Sequence, residues 1–172
     1  MIVTGKDNKI LRTPSTMVKK VDKNIKNLID DMMTHLLEAQ GLGIAAPQIG
    51  INLRVVIVRM NFDTPHEMYM PMINPEIIEY GKKEHDDFEE GCLSLPGMYG
   101  NTPRALEVTV KYMDKKGKQQ LLHLNSLNAR IMQHEVDHIN GMLFIDRLKQ
   151  PPRKIPVSQR LKEKESAENK GS

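Results

Sequence analysis

The stretch "GLGIAAPQIGIN", residues 41–52, decides between two fold classes. Its first six residues match G-x-G-x-x-A, the fingerprint of dinucleotide-binding α/β folds, in which a strand runs into the glycines and a helix runs out. Here the flanks are reversed. Upstream, "NIKNLIDDMMTHLLEA" (24–39) spaces Ile25, Leu28, Ile29, Met32, Met33, Leu36 and Leu37 as one apolar helical face, with Gly41 as the stop. Downstream, "LRVVIVRM" (53–60) is a β-branched run that predicts a mostly buried strand. The glycines therefore link a helix to a strand. They serve either as a tight turn or as a place where backbone groups meet a peptide-like ligand without Cβ interference.

Working outward, "MINPEIIEY" (72–80) and "ALEVTVKYM" (105–113) predict further strands, and "DKKGKQ" turns the second back into "QLLHLN" (120–125) as a hairpin. A second long helix is predicted from Leu127 to Ile139, ended by Asn140-Gly141. Strands clustered between two separate helices define an α+β protein. Mainly antiparallel sheets should pack around a central helix carrying "HEVDH" (134–138). After "FIDRL" the pair Pro151-Pro152 opens a polar, lysine-rich stretch without core-forming residues. We expect one catalytic domain over residues 1–148 and a basic polar tail over 149–172.

The 172 residues are 39% hydrophobic and 27% charged, an ordinary balance for a single domain with a proper core. No apolar run is long enough to span a membrane, and the first residues lack a secretory h-region. One cysteine permits no intramolecular disulfide, which suits a reducing, cytoplasmic compartment. Of the 25 Lys and Arg residues, eight fall in 147–172 against three Glu, a net +5, which leaves residues 1–146 at net −2. The basic character is expected in the tail.

"QHEVDHING" (133–141) puts two histidines one helical turn apart with a glutamate after the first. Two imidazoles on one face can converge on an ion, and Glu135 can reach water bound to it. The pattern is short enough to arise by chance and needs a third ligand. The lone thiol of "EGCLSLPG" (90–97) is the candidate, although a free cysteine is more often a small buried hydrophobe. One thiolate and two imidazoles would leave a tetrahedral ion one position open to water, as catalysis requires. Gln48 could offer its side-chain amide to a developing oxyanion. Asp137 falls on another helix face and reads as supporting. His35, His66, His85 and His123 have no such companions. The rival readings are a zinc endopeptidase, which needs a further downstream His or Glu ligand, and a metal-stabilised binding module, which needs four protein ligands.

Three blocks in this order, "GLGIAAPQ", "EGCLS" and "QHEVDH", resemble the signature of the peptide deformylases, and the resemblance extends from about Lys9 to Leu148. It implies a metallohydrolase that removes the formyl group from N-formylmethionine at the start of nascent polypeptides. By that resemblance Cys92, His134 and His138 are the metal ligands and Glu135 the general acid/base, while Gln48 and the Leu93 N–H bind the oxyanion. The backbone at Leu42, Gly43 and Gly91 would pair with the substrate. Leu42, Leu127, Ile131 and the aliphatic part of Arg130 would line the methionine pocket, braced by a Glu90–Arg104 pair. The family implies Fe2+, with Ni2+ or Co2+ as working substitutes, whereas the sulfur–nitrogen donor set alone reads as Zn2+. The implied partners are N-formylmethionyl nascent peptides and, through the basic tail, the ribosome surface, with no membrane and no sequence-specific nucleic acid. Two positions depart from the family's usual pattern: Ser126 stands where glycine is usual, and Arg130 is polar where some relatives are apolar.

Overall fold

The computed structural model describes residues 1–85 and 88–155. In chain order the elements are α1 (Lys23–Glu38), β1 (Gly43–Ala45), a 3-10 turn (Ala46–Ile49), β2 (Val55–Met60), β3 (Met68–Tyr80) and β4 (Glu84–His85). There follow β5 (Glu89–Cys92), β6 (Leu95–Asn101), β7 (Arg104–Ala105), β8 (Glu107–Met113), β9 (Gln119–Asn125), α2 (Ser126–Ile139), a 3-10 turn (Phe144–Arg147) and β10 (Arg153–Lys154). The strands form a five-stranded sheet in the order β1-β2-β3-β8-β9, a three-stranded sheet β10-β6-β5 and the pair β4-β7. All pairings among these ten strands are antiparallel. The α+β class expected from the sequence is the one found.

β2 is buried on both faces, and its alternation names what covers each. Val55 and Ile57 pack with Ile29, Met32 and Leu36 of α1, whereas Val56, Val58 and Met60 pack with Ala129, Met132, Val136 and Ile139 of α2. Each such side chain contributes roughly 1.5–3 kcal/mol by leaving water, and one helix covers each face of β2. α2 is the central element: ten of its residues are buried, polar ones included. Burial obliges those polar groups to find partners. Gln133 meets the requirement with its amide, accepting from Ala105 N at 3.0 Å and donating to Ala105 O at 2.9 Å, which holds β7 against the helix.

The helix ends refine the sequence reading. Asp22 caps α1, its Oδ1 accepting from Ile25 N at 3.1 Å. At the other end the left-handed residue is Gln40, with φ 50°, and not the expected Gly41. Gly41 is small for a different reason, since a Cβ there would come within 2.9 Å of Leu36 Cδ1. Gly141 does end α2 as expected, at φ 75°.

The chain also continues past Leu148 as ordered structure. Leu148 packs against the cluster of Leu11, Leu95, Leu143 and Phe144. Arg153 and Lys154 pair with Tyr99 and Met98, and Ile155 N donates to Gly97 O at 2.8 Å. The polar segment beyond Pro151-Pro152 thus opens with an edge strand of the smaller sheet. Residues 156–172 of the expected tail lie outside the described residues.

Candidate metal centre and substrate cleft

Cys92 ends β5 at a tight turn, paired with Leu95 at the start of β6, so Leu93 and Ser94 form the tip. The turn lies over α2, from which His134 and His138 project one helical turn apart. Donor atoms of Cys92, His134 and His138 all lie within 4.8 Å of one another, and Cys92 Sγ is 3.2 Å from His138 Nε2. Ligands about 2.0–2.3 Å from a tetrahedral ion stand roughly 3.3–3.8 Å apart, so the spacing fits one divalent ion. The thiol and two imidazoles brought together from distant segments are the set the sequence nominated.

The surroundings orient these donors. Glu90 Oε2 lies 3.0 Å from His134 Nδ1, which leaves Nε2 to face the centre. Both Glu90 oxygens also accept from Arg104, at 2.9 Å each, and Arg130 Nη1 donates to Oε1 at 2.7 Å. Burial would raise the Glu90 carboxyl, but the hydrogen bonds and charges of Arg104 and His134 outweigh it and hold the group well below the usual carboxylate range. The expected Glu90–Arg104 brace is present. Glu90 lines the cleft as well, with its carboxylate held by Arg104, Arg130 and His134. Asp137 is the supporting residue anticipated, bonded to Arg104 and, through both oxygens, to Arg147.

Glu135 is buried, and its Oε2 has no hydrogen-bond partner among the described residues. Burial pushes its carboxyl up to about 7. An acid poised near neutrality with an unspent oxygen is suited to moving a proton. Gln48 is equally buried in the 3-10 turn. Its Oε1 accepts from Ala45 N at 2.8 Å, which aims Nε2 at Ser94 Oγ (3.3 Å) and Cys92 Sγ (3.7 Å).

These groups open into a cleft of about 650 Å³. Leu42, Gly43, Gln48, Glu90, Gly91, Cys92, Leu93, Leu127, Arg130, Ile131, His134 and Glu135 all line it, while His138 sits behind, 1% exposed. Gly43 is required to be small, since a Cβ would lie 2.3 Å from Glu135 Oε1. The outer edges of β1 and β5 are both unpaired in their sheets and face the cleft. Leu42 O accepts from Arg59 N at 2.8 Å, and strand alternation turns the Gly43 N–H and C=O away from β2, toward the open edge. Sequence reasoning missed Phe62, Phe88 and Tyr99, which also line the cleft. They stand outside any periodic pattern, so no local signal marked them.

The endopeptidase reading lacks its ligand among the described residues. Asp146, the described carboxylate downstream of His138, accepts from Arg12 and from Leu143 N. Among the described residues the cluster also has no fourth protein donor, so a closed structural site is not formed by them. A three-donor centre, a buried carboxylate poised near neutrality and an open cleft define a metallohydrolase.

Comparison with known proteins narrows the class. The polypeptide deformylase family model matches residues 1–154. A peptide deformylase of Prochlorococcus marinus (strain NATL1A) is 41% identical over 138 residues, 80% of this chain and 68% of that one. The class I type b peptide deformylase from Acinetobacter baumannii has a similar structure, with TM-score 0.81 at 38% identity over 86% of this chain and 98% of that one. The same enzyme bound to Met-Ala-Ser gives 0.78 at 37%, over 86% and 97%. The chain belongs to the peptide deformylase family, metal-dependent hydrolases that remove the N-formyl group from nascent peptides.

Proposed function

We propose that Cys92, His134 and His138 hold a single divalent ion, Fe2+ in the native protein, and that the cleft positions a formylmethionyl peptide against it. The observation that carries this reading is the convergence of those three donors beside the unpartnered oxygen of Glu135. When bound there, the ion would supply the Lewis acidity that lets water give up a proton near neutral pH. Glu135, whose Oε2 has no partner among the described residues, would accept that proton and later deliver it to the leaving amine. Gln48 Nε2 and the Leu93 N–H receive the negative charge that develops on the formyl oxygen. Losing one such donor costs on the order of 2.7–4 kcal/mol of transition-state stabilisation.

The substrate backbone lies between the open edges of β1 and β5, bonded at Gly43 and Gly91. The methionine side chain enters between Leu42, Leu127, Ile131 and the stem of Arg130, whose guanidinium is turned away onto Glu90, Thr102 O and His85 O. The relative bound to Met-Ala-Ser supports this occupant, a methionine-led peptide. We place the enzyme in the cytoplasm, where nascent chains are made, and assign residues 149–172 a salt-sensitive contact with ribosomal phosphate through their lysines and arginines.

Formate release from formyl-Met-Ala-Ser, compared with cleavage of its internal peptide bonds, tests the reaction. We expect formate alone, and internal cleavage would restore the endopeptidase. Metal analysis of protein purified without oxygen tests the ion. Iron at one per chain is expected, with activity decaying in air and persisting when nickel replaces it. Stoichiometric zinc, or equal air stability of the iron and nickel forms, would contradict the assignment.

A further inference from the structure

Phe62 lines the cleft, is 40% exposed and belongs to none of the buried clusters. The loop that carries it is nevertheless tightly held. Asn61 and Asp63, on either side of the ring, adopt left-handed backbone at φ 52° and 61°, a conformation that costs any residue with a Cβ. Asn61 N donates to Asn128 Oδ1 at 3.0 Å, and Asn128 Nδ2 donates back to Asn61 Oδ1 at 3.0 Å. Asp63 N donates to Glu67 Oε2 at 3.1 Å, and the other Glu67 oxygen pairs with Arg59 at 2.9 Å. The Arg59 guanidinium in turn lies 4.5 Å from the centre of the Phe62 ring and 5.6 Å from that of Tyr69. Two strained residues, an amide pair and an ion pair thus fix an apolar side chain that contributes nothing to the core. Strain kept around an exposed ring marks a position that meets a ligand.

Strand geometry shows which part of the peptide it meets. β1 runs from Gly43 to Ala45 and on to Gln48, beside Cys92, where the formyl group is placed. A peptide bonded at Gly43 with its formyl end at Gln48 therefore runs antiparallel to β1. It leaves past Gly41 and Gln40, which line the same cleft. Side chains alternate along an extended chain at about 3.3 Å per residue, so the third residue points to the side that the methionine enters, roughly 7 Å further on. On that side Leu127 walls the methionine pocket, and its neighbour Asn128 is the residue that holds Asn61. Phe62 stands at that rim. The other two cleft aromatics belong to the opposite wall, Phe88 beneath the Arg130 guanidinium at 5.8 Å and Tyr99 against Gly91.

We infer that Phe62 is a specificity-determining residue, selecting the third residue of the nascent peptide in favour of aromatic and large aliphatic side chains. The inference rests on the deformylase reading of the cleft and adds to it a preference beyond methionine. An apolar third residue leaves water for the ring and, if aromatic, gains a favourable ring–ring contact. Serine gains neither. Aspartate must also shed water from its charge, and the nearby Arg59 is already paired with Glu67. The contact is remote from the reacting carbonyl, so it holds ground state and transition state alike and acts on KM, not on kcat.

Steady-state formate release from two peptide series tests the assignment. One is formyl-Met-Ala-Xaa and the other formyl-Met-Xaa-Ser, with Xaa Phe, Leu, Ser or Asp. Wild type should show kcat/KM about tenfold higher for Phe than for Ser at the third residue, carried by KM. Phe62→Ala should bring that ratio to within about twofold, while the ratios at the second residue, which points the other way, stay as in wild type. Asn128→Ala keeps the ring but frees its loop, and should lower the third-residue ratio as well. Formate release from the serine peptide reports separately on the deformylase reading. A wild type indifferent to the third residue, a Phe62→Ala variant that keeps the preference, or equal changes in both series would overturn the inference.

Discussion

Gly43 and Glu135 occupy one space between them, and that space is the site's tightest constraint. Gly43→Ala places a methyl within 2.3 Å of where Glu135 Oε1 lies, so the carboxylate must leave its position, and formate release should fall by a factor of a hundred or more while far-UV circular dichroism stays unchanged. Near-normal turnover would mean that the Glu135 position is not needed. Glu135 also sets a pH dependence in the metal-free protein. Its folded-state pKa lies above the ordinary 4.5, at about 7, so its contribution is full below 4.5 and is lost as pH rises through 7. Glu90 has the opposite sign, contributing above the ordinary carboxylate range and losing that contribution in acid. Metal-free Glu135→Gln should therefore lose less thermal stability than wild type between pH 5 and 8.5, and parallel melting curves would contradict the assignment. Ser126 carries a backbone cost of its own. At φ 49°, with its N–H donated to Leu106 O, it adopts a left-handed conformation that serine resists. Ser126→Gly should raise stability to chemical denaturation by about 0.5–1 kcal/mol, the relief exceeding glycine's extra chain entropy.

Among the elements, those with a long period were legible in the sequence and those held by distant partners were not. The periodicity of α1 and α2 and the β-branched run of β2 follow from local burial patterns, so their limits fall within a residue or two of the expectation. β5 and β6 carry no strand signal in the sequence, because "EEGCLSLPGMYGN" has no alternation. Their pairing depends on remote contacts instead: Gly5 N donates to Ser94 O, Leu11 packs against Leu95, and β10 covers the edge of β6. The site divides in the same way. Ligands and shuttle were legible because their spacing on a helix and their order along the chain carry the chemistry. The Arg130 and His134 bonds to Glu90 depend on how β5 lies over α2, which no local pattern encodes. β10 supplies the test at this scale. Ending the chain at Lys149 removes the strand and exposes the edge of β6, which should lower the melting temperature and raise KM for a formyl-Met peptide. Ending it at Ile155 should change neither. Identical behaviour of the two truncations would show that β10 does not support the cleft.

For the whole molecule, the architecture reduces to one buried helix between two sheets, with the metal donors on the face that meets the smaller one. The large sheet holds α2 on one face and α1 on the other, and the β5–β6 turn delivers the thiol. The cleft opens where the two sheets leave their edge strands unpaired. The central claim is that binding the ion and moving the proton belong to different side chains, and two variants assayed side by side test it most directly. Metal content and formate release would be measured together for Glu135→Gln and Cys92→Ala. The account predicts one ion per chain with nearly all turnover lost in the first, and loss of the ion itself in the second. Wild-type formate release by Glu135→Gln, or full metal content in Cys92→Ala, would contradict it.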